Sequence, residues 1–151
     1  VRATRIVATL EEIRSDFGLL DDWEDRYRYV IELGKALPQL QEGLKSEANK
    51  VRGCASQVWL VTARGQGPDP VLSFTGDSDA HIVRGLVAIL LAIYDGQRAS
   101  VALSIDGAGI FAALGLSEHL TPQRSNGLAS MISRIQTEAR GALSQAAGGR
   151  Q

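Results

Sequence analysis

The chain has 151 residues, of which 44% are hydrophobic and 22% charged, with a formal net charge of −1 and one cysteine. That length suits one ordinary domain, able to bury about 68–70% of the surface its unfolded chain exposes, so neither a disulfide nor a metal is required to hold a core. The near-neutral charge removes any electrostatic reason to expect nucleic-acid binding, and a lone cysteine excludes an internal disulfide and fits a reducing compartment.

Ile6, Leu10, Ile13 and Phe17 recur at helical spacing and predict a first helix from about Thr4 to Phe17, with Gly18 as its stop. Val1 to Gly18 lacks the charged, apolar and small-residue succession of a signal peptide, so a cytoplasmic location is expected. Asp21 or Asp22 can cap a second helix whose inward stripe is Trp23, Tyr27, Val30, Ile31, Gly34 and Leu37. Pro38 ends it, because the proline ring disfavours the α conformation at the residue before. Gln39 to Lys50 is polar and reads mostly as loop.

The period then changes. Val58, Leu60 and Thr62 alternate with Trp59, Val61 and Ala63, which predicts a strand covered on both faces. Arg64 to Pro70, rich in glycine and proline, is a turn, and Val71 to Thr75 returns as the second strand of an antiparallel hairpin. Gly76–Asp77–Ser78–Asp79 carries cap chemistry for a helix from about Asp79 to Tyr94 that is apolar nearly all round and so is expected at the centre of the core. Arg84 and Gly85 interrupt this stretch, which is also too short for a membrane span. Asp95–Gly96 stops it. Arg98 to Leu116 is ambiguous, with a short helix expected near Gly109 to Leu114. Thr121 as cap and Pro122 at the first helical position open the last helix, and the tail from Ala146 to Gln151 is expected to fray. The sum is an α+β fold, a small antiparallel sheet packed among helices.

Few residues carry chemistry. Cys54 stands at the loop-to-strand junction, after Gly53, which permits a sharp turn. Lys50 and Arg52 either help to lower its pKa or simply point into solvent. By spacing alone, the more ordinary reading of Cys54 is a small buried hydrophobe. One cysteine and the well-separated His81 and His119 do not make a zinc or cluster site, and a dithiol oxidoreductase needs a second thiol. A Cys–His hydrolase stays formally open. His81 reads as a first-turn surface residue and His119 as a loop or capping residue. Gly107 and Gly109 form only a fragment of a phosphate-binding loop. Asp77 and Asp79 read as helix-cap and first-turn acids or as a carboxylate pair. Arg124 lies near a helix N-terminus, where the dipole disfavours a cation, which hints at an ion pair or an anion contact.

Several blocks together resemble the SufE family, including its CsdE branch. They are Trp23-Glu24-x-x-Tyr27-x-Tyr29-x-Ile31-Glu32-Leu33-Gly34 with Leu37-Pro38, then Val51-x-Gly53-Cys54-x-Ser56-x-Val58-Trp59. Gly76-Asp77-Ser78-Asp79-Ala80-x-Ile82-Val83-x-Gly85-Leu86 follows, and finally His119 with Leu120-Thr121-Pro122-x-Arg124-Ser125-x-Gly127-Leu128. They occur in the family's order from about Trp23 to Ile135. The departures are residues 1–20, the Arg64–Pro70 turn, the Arg98–Gly109 stretch and the tail.

The resemblance implies one SufE-like domain over residues 1–151, with a variable N-terminal helix in 1–20 and a flexible tail in 145–151, and a fold similar to the SufE and IscU proteins. It implies that Cys54 accepts sulfane sulfur as a persulfide from a cysteine desulfurase of the SufS or CsdA type. The protein stimulates that desulfurase and passes the sulfur to an iron–sulfur scaffold, acting with its partner rather than as a stand-alone enzyme. The chain itself needs no cofactor and no metal, since the pyridoxal phosphate belongs to the desulfurase. No nucleic-acid or membrane partner is expected, and a monomer or weak homodimer is. Gly53 and Ser56 would shape the loop, with Asp77, Asp79, His119 and Arg124 as candidates for docking or loop support. A second thiol would discharge a persulfide as sulfide and leave a disulfide, so the absence of one protects the cargo. At rest the cysteine is expected to tuck toward apolar residues and to swing out on docking. The rival readings are a contact-only activator with Cys54 incidental, and the Cys–His hydrolase.

Overall fold

A computed structural model describes residues 8–148. Helix α1 spans Leu10–Leu19 and begins with a capping box, in which Thr9 Oγ1 accepts from the Glu12 amide and the Glu12 carboxylate accepts from the Thr9 amide. The cap starts the helix later than the periodicity predicts. The remainder of the predicted start, Thr4 to Val7, lies outside the described residues. Gly18 does not stop the helix, which continues through it to Leu19.

Helix α2, Trp23–Lys35, starts on Asp22, whose Oδ1 accepts from the Glu24 amide at 2.9 Å. Arg26 closes the corner by donating to the Leu20 and Phe17 carbonyls at 2.8 and 3.1 Å, the latter also accepting the Leu20 amide at 3.2 Å. Phe17 meets Trp23 and Tyr29 edge to face. Beyond α2 the polar segment is loop except for a single 3₁₀ turn at Glu42–Leu44.

Strands β1 (Val58–Arg64) and β2 (Leu72–Ser78) form an antiparallel pair in which Val58 faces Ser78 and Arg64 faces Leu72. Two expectations are corrected here. Strand β1 is buried only over Val58, Trp59 and Leu60, and its far end at Ala63 and Arg64 is exposed. Strand β2 runs on through Gly76, Asp77 and Ser78, so these residues pair with β1 instead of capping the next helix. Ser78 Oγ retains a cap-like role, accepting from the Ala80 amide.

Helix α3, His81–Tyr94, is buried along almost its whole length and forms the centre of the core. Its crossing with α2 is set by two glycines. A Cβ on Gly34 would lie 2.6 Å from the Gly85 nitrogen, and a Cβ on Gly85 would lie 2.1 Å from the Val30 carbonyl oxygen. The ambiguous stretch resolves into α4 (Ala99–Ser104) and α5 (Gly107–Ala113), followed by a 3₁₀ turn at Leu116–His119. Helix α4 is made of short residues without a clear apolar period. It is held by its buried Ala99 and Ala102 and by its packing against the last helix. That helix, α6, spans Pro122–Gly148, so the predicted fraying tail is helical through Ala146 to Gly148, while residues 149–151 lie outside the described residues. Among the described residues no helix is long and apolar enough to cross a membrane.

Gly85→Ala is expected to destabilise the protein by about 1–3 kcal/mol, because a backbone oxygen cannot move aside as a side chain can. The measurement is the urea unfolding midpoint, which should fall with little change in slope; an unmoved midpoint contradicts the close crossing.

Candidate functional site

The cysteine lies on a loop with a rigid stem and a loosely held tip. At the stem, the Val51 amide donates to the Val58 carbonyl and the Leu60 amide to the Asn49 carbonyl, both at 2.8 Å. Lys50 forms an antiparallel bridge with Trp59, so residues 49–51 run as a short extra edge beside β1. Arg134 of α6 secures that edge from outside, donating to the Ala48 and Lys50 carbonyls at 2.7 and 3.1 Å and pairing with Glu138 at 3.1 Å. The other side of the stem is held through Gln57. Its amide donates to Asp79 Oδ1 at 3.0 Å, and its carbonyl accepts from Ser78 Oγ at 2.8 Å and from the Asp79 amide at 3.2 Å.

Between these anchors the chain turns at Gly53, whose φ of 90° lies in the left-handed region. A Cβ there would also sit 2.5 Å from Ser130 Oγ, so glycine lets the loop lie against α6. Cys54 then points down onto the first turns of α6. Its thiol donates to the Gly127 carbonyl oxygen at 3.6 Å, a weak sulfur hydrogen bond, and the residue is half-buried. Burial pushes the thiol pKa up from its ordinary value. The expected help from Lys50 and Arg52 is not realised: Arg52 pairs with Glu47 in solvent at 3.3 Å, and desolvation is what governs the thiol.

The sulfur borders a cavity of about 210 Å³. Val83, Leu86 and Met131 supply its apolar side; Ser56, Thr121, Gln123 and Arg124 supply its polar side. The structure therefore brings Cys54, Ser56 and Arg124 together, with Gly53 forming the turn above. Arg124 donates through Nη1 to the Tyr27 hydroxyl of α2, which holds the guanidinium at the cavity wall.

The other candidates stand apart from the cavity. Asp77 is 4% exposed and accepts from Arg84 Nε at 2.8 Å, from the Leu40 amide at 3.1 Å and from the Ser78 amide at 2.8 Å. It is a buried anchor, not a helix cap, and Asp79 is a clamp on Gln57 instead of its carboxylate partner. His119 is exposed and stacks on Trp23, with ring centroids 3.8 Å apart. His81 is exposed at the start of α3. Among the described residues no histidine lines the cavity, so the base that a Cys–His hydrolase requires is not beside the sulfur. Nor, among the described residues, is there a group of three or more His, Cys, Asp or Glu placed to hold a metal ion. Sequence reasoning missed Arg134, whose partners are backbone carbonyls distant in the chain and leave no side-chain signature. It also missed Tyr27 as the partner of Arg124.

Residues 11–139 match the family SufE, described as the Fe-S metabolism associated domain. An uncharacterized SufE-like protein of Rhizobium meliloti is 61% identical over 138 residues, covering 91% of this chain and 99% of that protein. A second, from Rhizobium etli, is 61% identical over 135 residues, covering 89% of this chain and 91% of that protein. The solution structure of a hypothetical protein from Thermus thermophilus superposes with a TM-score of 0.68 at 21% sequence identity, covering 93% of this chain and 99% of that one, and shows the same fold. The chain belongs to the SufE family, and that membership points to a sulfur-acceptor role alongside cysteine desulfurases.

Because the thiol pKa is raised, the protein should hold less thiolate near neutrality than a free cysteine does. Its iodoacetamide alkylation rate should climb with pH to a midpoint above the ~8.5 of a free thiol; a midpoint below that value contradicts the half-buried setting. Asp79→Ala removes the carboxylate that grips the Gln57 amide. It should raise the alkylation rate of Cys54 by roughly threefold to tenfold, as expected for about 1 kcal/mol lost from the closed loop. An unchanged rate means that the loop is held elsewhere.

Proposed function

From its SufE membership and the setting of Cys54, we propose that this chain is a sulfur carrier, loaded by a pyridoxal-phosphate-dependent cysteine desulfurase of the SufS or CsdA type. The Cys54 thiolate attacks the terminal sulfur of a persulfide on the desulfurase. A new S–S bond forms at Cys54, the partner's S–S bond breaks, and the partner's cysteine leaves as a thiolate. Cys54 now bears the extra sulfur as a persulfide, with no net oxidation or reduction. Attack by a thiolate of an iron–sulfur scaffold on that terminal sulfur repeats the exchange downstream and regenerates Cys54. The pyridoxal phosphate stays with the desulfurase and this chain brings no cofactor of its own; the reducing cytoplasm is the compartment in which such a thiol persists.

The observation that carries this reading is a solitary thiol on a loop with a strong stem and a weak tip. The stem has several backbone and charge-assisted bonds, whereas the thiol itself is tied by one weak bond to Gly127. Such a loop can release its tip to a docked partner without unpairing the sheet. The raised pKa supports the same division: the idle thiol resists alkylation and oxidation and becomes reactive only once the loop leaves its cavity. Gly53 supplies the turn, and the partner's docking energy supplies the opening. Docking in turn stimulates the desulfurase, because removal of its persulfide frees it for another cycle.

Incubation with a desulfurase and cysteine should add the mass of a sulfur atom to the wild type and none to Cys54→Ser, and the variant should also lose nearly all stimulation of cysteine turnover. Full stimulation by the serine variant would indicate activation by contact alone, and added sulfur on it would refute the role of Cys54.

A further inference from the structure

Resting on the carrier reading, the geometry points to a second task for the cavity beneath Cys54: Arg124 recognises the anionic terminal sulfur of the loaded cysteine and so distinguishes the persulfide from the empty thiol. The cavity has room for more than the resting side chain, since about 210 Å³ lies open beside the sulfur. A persulfide extends the side chain by one S–S bond of ~2.05 Å. That added sulfur is where the negative charge of an ionised persulfide resides, and an apolar wall of Val83, Leu86 and Met131 would penalise it unless a cation faces it.

The charged and titratable groups around the cavity leave one candidate. From α3, Val83 and Leu86 are apolar, Arg84 is turned onto Asp77, and His81 is exposed at the helix start. From α2, Tyr27 reaches the guanidinium through its hydroxyl. From the loop, Cys54, Ala55 and Ser56 are uncharged, while Arg52 pairs with Glu47 in solvent and Asp79 grips the Gln57 amide. From α6 and the residue before it come Thr121, Gln123, Gly127, Met131 and Arg124, and Arg124 is the one charged residue lining the cavity among the described residues. Its position is constrained twice, by the Tyr27 hydroxyl and by the first turn of α6, where its own amide donates to Thr121 Oγ1 at 3.2 Å. A cation in the first turn opposes the helix dipole, a local cost that an anion in the cavity would offset.

The resting thiol is not hydrogen-bonded to this cation. It donates to the Gly127 carbonyl oxygen while the guanidinium is engaged with the Tyr27 hydroxyl, and burial pushes the thiol pKa up. Arg124 therefore acts on the group one atom beyond Sγ. It is a positioning residue for the loaded state: it holds the persulfide as an anion inside the closed loop, away from solvent, until a partner draws the loop out.

The test loads the protein chemically. The Cys54 thiolate first attacks a small symmetric aromatic disulfide, releasing one aromatic thiolate and leaving a mixed disulfide; hydrosulfide then attacks the Cys54 sulfur, the second aromatic thiolate leaves, and the persulfide remains. The near-ultraviolet absorbance of the persulfide anion is followed across pH for wild type, Arg124→Gln and Arg124→Lys, and the alkylation midpoint of the unloaded thiol is measured for each. In the loaded protein, Arg124→Gln should raise the ionisation midpoint by about one pH unit, the shift expected for loss of a cation within a few ångströms. Arg124→Lys should restore most of it, and the unloaded midpoints should coincide. Equal midpoints for loaded wild type and Arg124→Gln overturn the proposal. So does an equal shift in loaded and unloaded protein, which marks a merely structural arginine. Because no desulfurase takes part, a failure to accept sulfur from one overturns the carrier reading alone, and equal midpoints overturn the role of Arg124 alone.

Discussion

The buried carboxylate of Asp77 is the constraint on which the site depends. A carboxylate removed from water costs several kcal/mol unless its oxygens are paired and hydrogen-bonded. Here one oxygen accepts from Arg84 Nε and the Ser78 amide and the other from the Leu40 amide, while Arg84 Nη2 reaches on to the Leu37 carbonyl at 2.8 Å. Lys45 lies 4.0 Å from the same carboxylate and 5.3 Å from the Trp59 ring centroid. The end of β2, the start of α3 and the segment leading to the cysteine are thereby tied at one point. Ser78 and Asp79, next in the chain, can then grip Gln57 at the base of the cysteine loop.

Around that anchor, rigidity falls off toward the sulfur. The α2–α3 crossing is closed to a single methyl group, and the β1–β2 register is continuous. Arg134 fastens the incoming edge of the loop to α6. Only the tip, Gly53 to Ser56, rests on contacts that are weak one by one: a thiol to a carbonyl oxygen and a glycine against a serine hydroxyl. Stability and presentation are thus divided between the stem and the tip. A group that must visit another protein is best carried where opening costs little and the scaffold loses nothing.

The places where sequence reasoning failed share a cause. Asp77 looks like a cap because it precedes a helix and has acidic neighbours, but its strand continues and turns the carboxylate inward, toward an arginine of α3. Lys50 and Arg52 look like aids to the thiol because they are close in number, yet Arg52 faces solvent and the sulfur faces α6. Helix α4 has no clear apolar period to read, since it is held by tertiary packing against α6 and not by an amphipathic stripe.

The amino-acid sequence by itself determined the succession of α2, the hairpin, α3 and α6, because apolar period and capping residues are local properties of neighbouring side chains. It also determined that one thiol stands on a glycine turn at a strand entrance, and the motif blocks around that thiol made the family legible. Only the tertiary structure decided that Gly127 and Arg124, far along the chain, form the floor and wall beneath Cys54. It likewise decided that His119 stacks its ring on Trp23. The reason is that burial, charge pairing and the size of a cavity belong to residues brought together across the fold, and no local pattern records which distant partners will meet.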